Sequence, residues 1–203
     1  MIKTFKTKTK KQCWGLTKTF ILASSSPRRI RLLENAGFKP VEIVPADIDE
    51  TEKKGERPDK YVVRVATEKA QHVAKLRPGI CIVAADTIIV AKGKIVRKAA
   101  TEQKARTNLK LLSGSTHYAY TGYCIISDKG KVISKLVKTA VKTKKFTDDE
   151  IDTLITSKEW QNVAAYRIEG LLSALVKSIE GSYTNIIGLP IYEVAQDLKN
   201  MLK

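Results

Sequence analysis

Apolar runs alternate with amphipathic segments along this chain, and their spacing predicts a mixture of strands and helices. Residues 20–24 form a short apolar run, and residues 80–91 form a longer one that is apolar at odd and even positions alike. A strand that is apolar on both faces is typical of the covered centre of a sheet. Two further runs, 117–127 and 131–144, flank the turn sequence Asp128-Lys129-Gly130 and predict a hairpin.

Helix signals lie between these strands. Ser26-Pro27 places a preferred capping residue and a proline at the start of a helix that Gly37 is expected to end. Thr147 and Glu150 have the spacing of a capping box and predict the start of another helix. Further helices are expected at 58–76, 101–112 and from residue 190 onwards, with short strands near 163–168 and 174–179. This alternation, with a hairpin inside it, predicts an α/β fold with a mixed sheet.

Composition is that of a soluble globular protein, and charge is its unusual feature. The 203 residues are 43% hydrophobic and include 37 Lys and Arg against 21 Asp and Glu, a net charge of +16. Such a charge favours an anionic partner through long-range attraction. Residues 1–18 contain six lysines and no acid. We therefore expect a basic flexible tail over 1–18 and a single domain over 19–203.

Several classes of protein are disfavoured by the same inventory. The longest uncharged apolar run, residues 80–85, is far shorter than the ~20 residues of a membrane-spanning helix. The three cysteines have no C-x-x-C spacing, which indicates reduced thiols in a cytoplasmic protein. The two histidines have no metal-binding spacing, which disfavours zinc hydrolysis and Ser-His-Asp catalysis.

Two charged residues fall where the pattern predicts apolar side chains. On the helical wheel of 58–76, Lys69 lies about 20° from Val62, inside an apolar stripe that also includes Leu76. Asp86 interrupts the central strand. Lys69 either extends to the rim of the stripe or meets an anion, and Asp86 either bonds a turn or meets a cation.

The segment Ser24-Ser25-Ser26-Pro27-Arg28-Arg29 joins the first strand to the first helix. Hydroxyl groups, two guanidinium groups and the N–H groups of a helix start suit a bound phosphate. The P-loop spacing Gly-x-x-x-x-Gly-Lys is absent. On its own, the segment is equally compatible with an ordinary helix start.

A series of motifs extends this local picture and resembles the Maf family of nucleoside triphosphate pyrophosphatases. The motifs follow one another in the family's order from residue 20 to about residue 200. They are Phe20-Ile-Leu-Ala-Ser-Ser-Ser-Pro-Arg-Arg29, Glu68-Lys69-Ala70, Ala85-Asp86-Thr87, Leu112-Ser-Gly-Ser-Thr-His117, Ala165-Tyr-Arg-Ile-Glu-Gly170, Ile179-Glu-Gly-Ser-Tyr183 and Gly188-Leu189-Pro190. The resemblance implies a Maf/inosine-triphosphatase-like fold with two lobes and a central cleft. It also implies cleavage of a nucleoside triphosphate to monophosphate and pyrophosphate, which clears non-canonical or surplus nucleotides.

The resemblance further implies roles for single residues. Asp86, Lys69, Lys98 and Glu50 are expected to be catalytic, with Asp86 as general base and with Glu50 and Asp86 holding Mg²⁺ or Mn²⁺. The expected substrate-binding residues are Ser24, Ser26, Arg28, Arg29, Thr87 and Glu169. Family members are often homodimers, and nothing in this sequence decides that point.

Two departures from the family pattern leave questions open. Arg97-Lys98-Ala99 replaces the more usual Gly-Lys-Pro or Glu-Lys-Pro. Glu169 favours a guanine-like base such as 7-methylguanine, whereas Arg28-Arg29 resembles the branch that acts on pyrimidine triphosphates. The alternatives are a basic nucleic-acid-binding protein, disfavoured because aromatic residues do not interleave with basic ones, and a catalytically silent nucleotide-binding relative.

Overall fold

A computed structural model describes residues 13–161, 163 and 166–203. Seven strands form one mixed sheet. They are β1 Phe20–Leu22, β2 Glu42–Ile43, β3 Cys81–Ala91, β4 Lys94–Val96, β5 Thr116–Ile126, β6 Val132–Thr143 and β7 Val176–Glu180. The helices are α1 Pro27–Asn35, α2 Pro58–Leu76, α3 Glu102–Leu112, α4 Asp148–Thr156, α5 Tyr183–Ile187 and α6 Ile191–Met201, with 3-10 turns at Cys13–Gly15 and Leu171–Leu175. The strand order is β2-β1-β3-β5-β6-β7, with β4 also paired to β3. The predicted α/β fold with a mixed sheet is confirmed.

The central strand β3 has two faces that are covered differently. Its even-numbered side chains pack beneath α2. On the other face, Val83 and Ala85 belong to a core covered by α1 and α6, whereas Ile89 and Ala91 belong to a core covered by α3 and α4. Thr87 lies between the two cores and is the one position of β3 that is partly exposed. This face of the sheet therefore supports two lobes with a cleft between them.

The edge of β3 that faces away from β5 is open in its middle. β1 pairs with residues 81–83 of β3, and β4 pairs with residues 89–91. In the described part of the chain, no strand pairs with residues 84–88 along this edge. After β1 the chain turns into α1 beside the opening. Side chains from both faces of β3 can therefore reach one site here, as at the strand ends where α/β folds bind ligands.

The close approach of α2 to the sheet depends on Gly122 in β5. Gly122 pairs with Asp86 across the β3–β5 ladder. A β-carbon at this position would collide with the main-chain oxygen of Val62 in α2. Because Val62 and Lys69 lie on the same face of α2, this contact also sets the distance between Lys69 and β3.

Most of the expected elements are present. The hairpin, the helix over 58–76 and the capping box at Thr147 are confirmed. The strand expected at 163–168 is wrong for the described residues. Tyr166 and Ile168 lie in an irregular segment that pairs with no strand, and their side chains are buried in the core under α3 and α4. Leu76 was expected in the buried stripe of α2 and is 51% exposed because the helix ends there.

The sequence predicted a flexible basic tail over 1–18, and the last residues of that segment are instead packed on the rest of the protein. Residues 1–12 lie outside the described residues. Leu16 is buried in the core beneath α1 and α6, and the Trp14 indole N–H donates to the main-chain oxygen of Ala36 at 2.8 Å. The main-chain N–H groups of Thr17 and Lys18 donate to Leu202. Residues 13–18 therefore pack on the domain. A bilayer-crossing helix, judged by length and apolarity, is not found among the described residues.

We predict that Gly122→Ala lowers the free energy of unfolding by about 2 kcal/mol, because α2 must move off the sheet to make room for a methyl group. Urea denaturation measures the change. Gly170→Ala is the control, since its β-carbon would meet only the movable side chain of Glu159. Equal losses in the two variants would contradict the role given to Gly122.

Candidate active site

A cleft of about 600 Å³ lies at the open edge of β3, between the two lobes. The start of α1, the loop before α2, the middle of β3 and the turn between α5 and α6 form its walls. Every residue that the sequence assigned to the site lines this cleft: Ser24, Ser26, Arg28, Arg29, Glu50, Lys69, Asp86, Thr87, Lys98 and Glu169. Residues from distant parts of the sequence thus meet in one place.

The centre of the cleft is a lysine between two carboxylates. Lys69 Nζ lies 3.0 Å from Asp86 Oδ1 and 2.8 Å from Glu50 Oε2. Lys69 and Asp86 are each 8% exposed. The ammonium therefore meets two anions and does not extend to the rim of its stripe, and Asp86 meets a cation rather than bonding a turn. Two carboxylates offset the cost of burying one ammonium, and removal of Lys69 would leave the buried Asp86 carboxylate without its ion-pair partner.

The loop that presents Glu50 is fixed by two side chains of α2. Tyr61 Oη donates to the main-chain oxygen of Glu50 at 2.9 Å. Arg64 donates to Glu56 at 2.7 Å and to the main-chain oxygen of Thr51 at 3.0 Å. The Arg64 guanidinium holds the pKa of Glu56 at about 2. Burial raises the pKa of Tyr61 to about 12, with the charge of Asp86 adding to the effect, so its hydroxyl stays protonated and can donate.

Glu50 and Asp86 supply two carboxylates to which a divalent cation can bind. Among the described residues there is no cluster of three or more His, Cys, Asp and Glu side chains that could hold a resident metal. Mg²⁺ is commonly bound by one or two carboxylates together with substrate phosphates and water. Lys69 contacts one oxygen of each carboxylate. The second oxygen of each carboxylate is therefore the atom that can bind a metal ion.

The first turn of α1 forms the end of the cleft that suits phosphate. Pro27 is the first helical residue, and Ser26 makes no side-chain capping bond. The first main-chain bond of the helix runs from the N–H of Ile30 to Ser26. The N–H groups of Arg28 and Arg29 precede it and lie at the positive end of the helix dipole.

Arg29 contacts three separate segments of the protein. Its Nε donates to the main-chain oxygen of Gly188 at 2.8 Å, its Nη1 donates to Ser24 Oγ at 3.1 Å, and its Nη2 donates to Thr87 Oγ1 at 3.2 Å. Burial lowers the pKa of Arg29, and the charge of Asp86 opposes that shift. The sequence predicted a phosphate ligand here, and the structure shows a guanidinium that also holds the walls of the cleft together.

Apolar and aromatic side chains also line the cleft, namely Val163, Tyr166, Ile186 and Ile187. The carboxylate of Glu169 is exposed. Burial lowers the pKa of Arg28, and the negative charge of Glu169 partly opposes that shift. Lys98 is exposed at the rim.

Tyr166 is held by a buried histidine. Tyr166 Oη and His117 Nε2 are 2.6 Å apart, and the two rings meet edge to face with centroids 5.3 Å apart. His117 is fully buried. Sequence analysis assigned no role to Tyr166, His117 or Gly188, although each belongs to a motif that it quoted.

Comparison with known proteins shows which family this chain belongs to. The model of the family described as Maf-like protein matches residues 19–201. The chain belongs to the Maf family. A dTTP/UTP pyrophosphatase of Mesorhizobium japonicum is 42% identical over 186 residues, which cover 88% of this Maf chain and 89% of the relative. A dTTP/UTP pyrophosphatase of Syntrophus aciditrophicus is 39% identical over 188 residues, which cover 92% and 91% of the two chains. The resemblance stated from the motifs is confirmed.

We predict that His117 makes the stability of this Maf protein fall at acid pH. Burial lowers the pKa of His117 to about 4, whereas an unfolded histidine has a pKa near 6.5. Between these values the unfolded chain binds a proton that folded His117 does not. The free energy of unfolding therefore falls as pH drops from about 6.5 to 4, by about 3 kcal/mol from this group.

Urea denaturation at pH 7, 5 and 4 checks this prediction. His117→Gln is expected to remove this part of the pH dependence, and His72→Gln, at a partly exposed position, is the control. If the free energy of unfolding of His117→Gln fell with pH as steeply as that of the wild type, His117 would not be the group responsible.

Proposed function

We propose that this protein hydrolyses a pyrimidine nucleoside triphosphate, dTTP or UTP, between its α- and β-phosphates. The products are the nucleoside monophosphate and pyrophosphate. The observation that supports this most is the ion-paired cluster of Lys69, Asp86 and Glu50 in the same cleft as the start of α1. The relatives that match most of this chain at about two-fifths identity are dTTP/UTP pyrophosphatases.

The phosphate chain lies at the start of α1 in this proposal. The start of α1, the Ser24 hydroxyl and the cationic side chains of Arg28 and Lys98 all line the cleft. Negative charge grows on the pyrophosphate as the anhydride bond breaks. Fixed donors and cations that meet this charge lower the barrier because they need no reorganisation. Ser26, whose hydroxyl makes no capping bond, adds a further donor.

Asp86 accepts the proton of the attacking water. Lys69 donates to Oδ1 of Asp86 and so fixes the position of this carboxylate. A positioned carboxylate base of this kind contributes about 10²–10⁴-fold to a rate. Lys69 also supplies positive charge near the α-phosphate. Glu50 and Asp86 hold a magnesium or manganese ion, which when bound offsets the negative charge of the phosphates.

The base packs against the apolar and aromatic side chains of the cleft. Glu169, which favoured a guanine-like base from sequence alone, lies near Arg28 and faces solvent. The names of the relatives favour a pyrimidine. A cytoplasmic location stays a prediction from the sequence, and a homodimer is implied only by the resemblance to the family.

Product analysis tests the proposal. The protein is incubated with dTTP, UTP, CTP, ATP, GTP or 7-methyl-GTP, with Mg²⁺, Mn²⁺ or EDTA, and the products are separated by anion exchange. We expect dTMP or UMP with an equal amount of pyrophosphate, fastest from dTTP and UTP and lost in EDTA. Nucleoside diphosphate with orthophosphate, or no turnover of any triphosphate, would contradict it.

We predict that Asp86→Asn lowers kcat at least about 100-fold, because an amide cannot accept the proton of the attacking water. The protein is expected to stay folded, as circular dichroism can verify. Asp197→Asn is the matched control. Asp197 is 7% exposed and ion-pairs with Lys135 at 2.8 Å, but it does not line the cleft. A kcat for Asp86→Asn close to that of the control would exclude Asp86 as the base.

A further inference from the structure

A row of hydroxyl groups runs from β5 to the phosphate end of the cleft. Thr121 in β5 is fully buried and does not line the cleft. Its Oγ1 lies 2.9 Å from Thr87 Oγ1. Thr87 Oγ1 also accepts a hydrogen bond from Arg29 Nη2 at 3.2 Å and lies 3.1 Å from the main-chain oxygen of Gly188. Arg29 in turn reaches Ser24.

The direction of these bonds follows from the number of hydrogens available. A hydroxyl group has one hydrogen and can accept two bonds. The Gly188 oxygen can only accept, so Thr87 donates its hydrogen there. Thr87 Oγ1 then accepts from Arg29 and from Thr121, which completes its capacity. Thr121 is thus the donor that fills the last position on Thr87.

The same count identifies what Ser24 is free to do. Ser24 Oγ accepts from Arg29 Nη1 at 3.1 Å and from the main-chain N–H of Ser26 at 3.3 Å. With both acceptor positions used, the hydrogen of Ser24 is left to be donated. Ser24 lines the cleft at the start of α1, where its O–H group can meet a phosphate oxygen.

The turn that contains Gly188 is anchored from the same strand. The side chain of Asn185 in α5 is fully buried. Its Nδ2 donates to the main-chain oxygen of Ala119 at 3.1 Å and to Thr139 Oγ1 at 3.0 Å. The main-chain oxygen of Asn185 is a second and more distant acceptor for the Thr121 hydroxyl, at 3.4 Å against 2.9 Å for Thr87 Oγ1. Thr121 therefore contacts Thr87 directly and also contacts α5, which leads into the turn with Gly188. Thr87 and Gly188 are two of the three groups that bind Arg29.

We propose that Thr121 is a positioning residue for the hydrolysis. It acts on the phosphates through Thr87, Arg29 and Ser24 and makes no contact with substrate. This inference rests on the proposed function, because its main readout is pyrophosphate release. Loss of the Thr121 hydroxyl leaves Thr87 short of one donor and lets the Arg29 guanidinium turn. The Ser24 hydrogen is then less well aimed at the charge that develops on the leaving pyrophosphate.

Kinetics of Thr121→Val test this inference, because valine keeps the shape of threonine and removes the hydroxyl. We expect kcat for pyrophosphate release to fall about tenfold, the size of one hydrogen bond used mainly in the transition state. The KM is expected to change less than about threefold. Thr121→Ser keeps the hydroxyl and is expected to restore most of kcat.

Thr143→Val is the matched control. Thr143 is a threonine of β6 that is 2% exposed and donates to the main-chain oxygen of Leu112 at 2.6 Å, away from the cleft. It is expected to lose a similar amount of stability with kcat unchanged. Equal kcat values for Thr121→Val and Thr143→Val would overturn the inference.

A double-mutant cycle with Thr87→Val separates positioning from general damage. If Thr121 acts through Thr87, the double variant loses no more activity than Thr87→Val alone. Additive losses would overturn the inference.

A second readout is independent of turnover. The Arg29 Nε–H signal in a ¹⁵N spectrum, assigned by its loss in Arg29→Lys, is expected to shift in Thr121→Val and to stay in place in Thr143→Val. An unmoved Arg29 signal in Thr121→Val would overturn the inference, whether or not the wild type is active. An inactive wild type would refute the proposed function, and the NMR result would still test the role of Thr121.

Discussion

The site depends on the burial of one ammonium group between two carboxylates. Lys69 and Asp86 come from opposite sides of a helix–sheet interface, and both are almost fully buried. Neither charge is stable in that place alone. The helix, the strand and the loop that supplies Glu50 must therefore lie in one arrangement. Gly122 permits this arrangement because it lets α2 approach the sheet, and Tyr61 and Arg64 keep Glu50 within reach of the ammonium.

The second constraint is the shape of the sheet around β3. β1 and β4 pair with opposite ends of this strand and leave its middle uncovered on one edge. The cores of the two lobes also separate at Thr87. Asp86 and Thr87 are neighbours in sequence that point to opposite faces, and both line the cleft. The opening thus brings the carboxylate cluster on the α2 face together with the helix start and Arg29 on the other.

The sequence was informative where a charge broke a periodic pattern. Lys69 in an apolar stripe and Asp86 in an apolar strand both indicated a polar site, and the structure pairs them. Thr121 and Asn185 escaped notice because a threonine in a strand and an asparagine before a turn are ordinary residues there. Their importance lies in hydrogen bonds to residues more than 30 positions away. Spacing along a chain does not encode such contacts.

Arg29 is a residue that the sequence did single out, but its contacts within the protein could not be predicted. Its position beside serines at a helix start predicted a phosphate ligand, which is what the chemistry of the segment favours. The structure shows three of its donors engaged by Gly188, Ser24 and Thr87. The strand expected over 163–168 failed for a related reason. Burial of its apolar residues can be achieved by packing in the core as well as by pairing in a sheet, and periodicity alone does not separate the two.

A crystal structure with Mg²⁺ and α,β-imido-dUTP, which resists cleavage at the bond in question, tests the central claim most directly. The account predicts that the triphosphate lies at the first turn of α1 and accepts a hydrogen bond from Ser24. It also predicts that the α-phosphorus is close enough to Asp86 for one water molecule to lie between them. A triphosphate bound away from the first turn of α1, or an Asp86 carboxylate without access to the α-phosphate, would contradict the account.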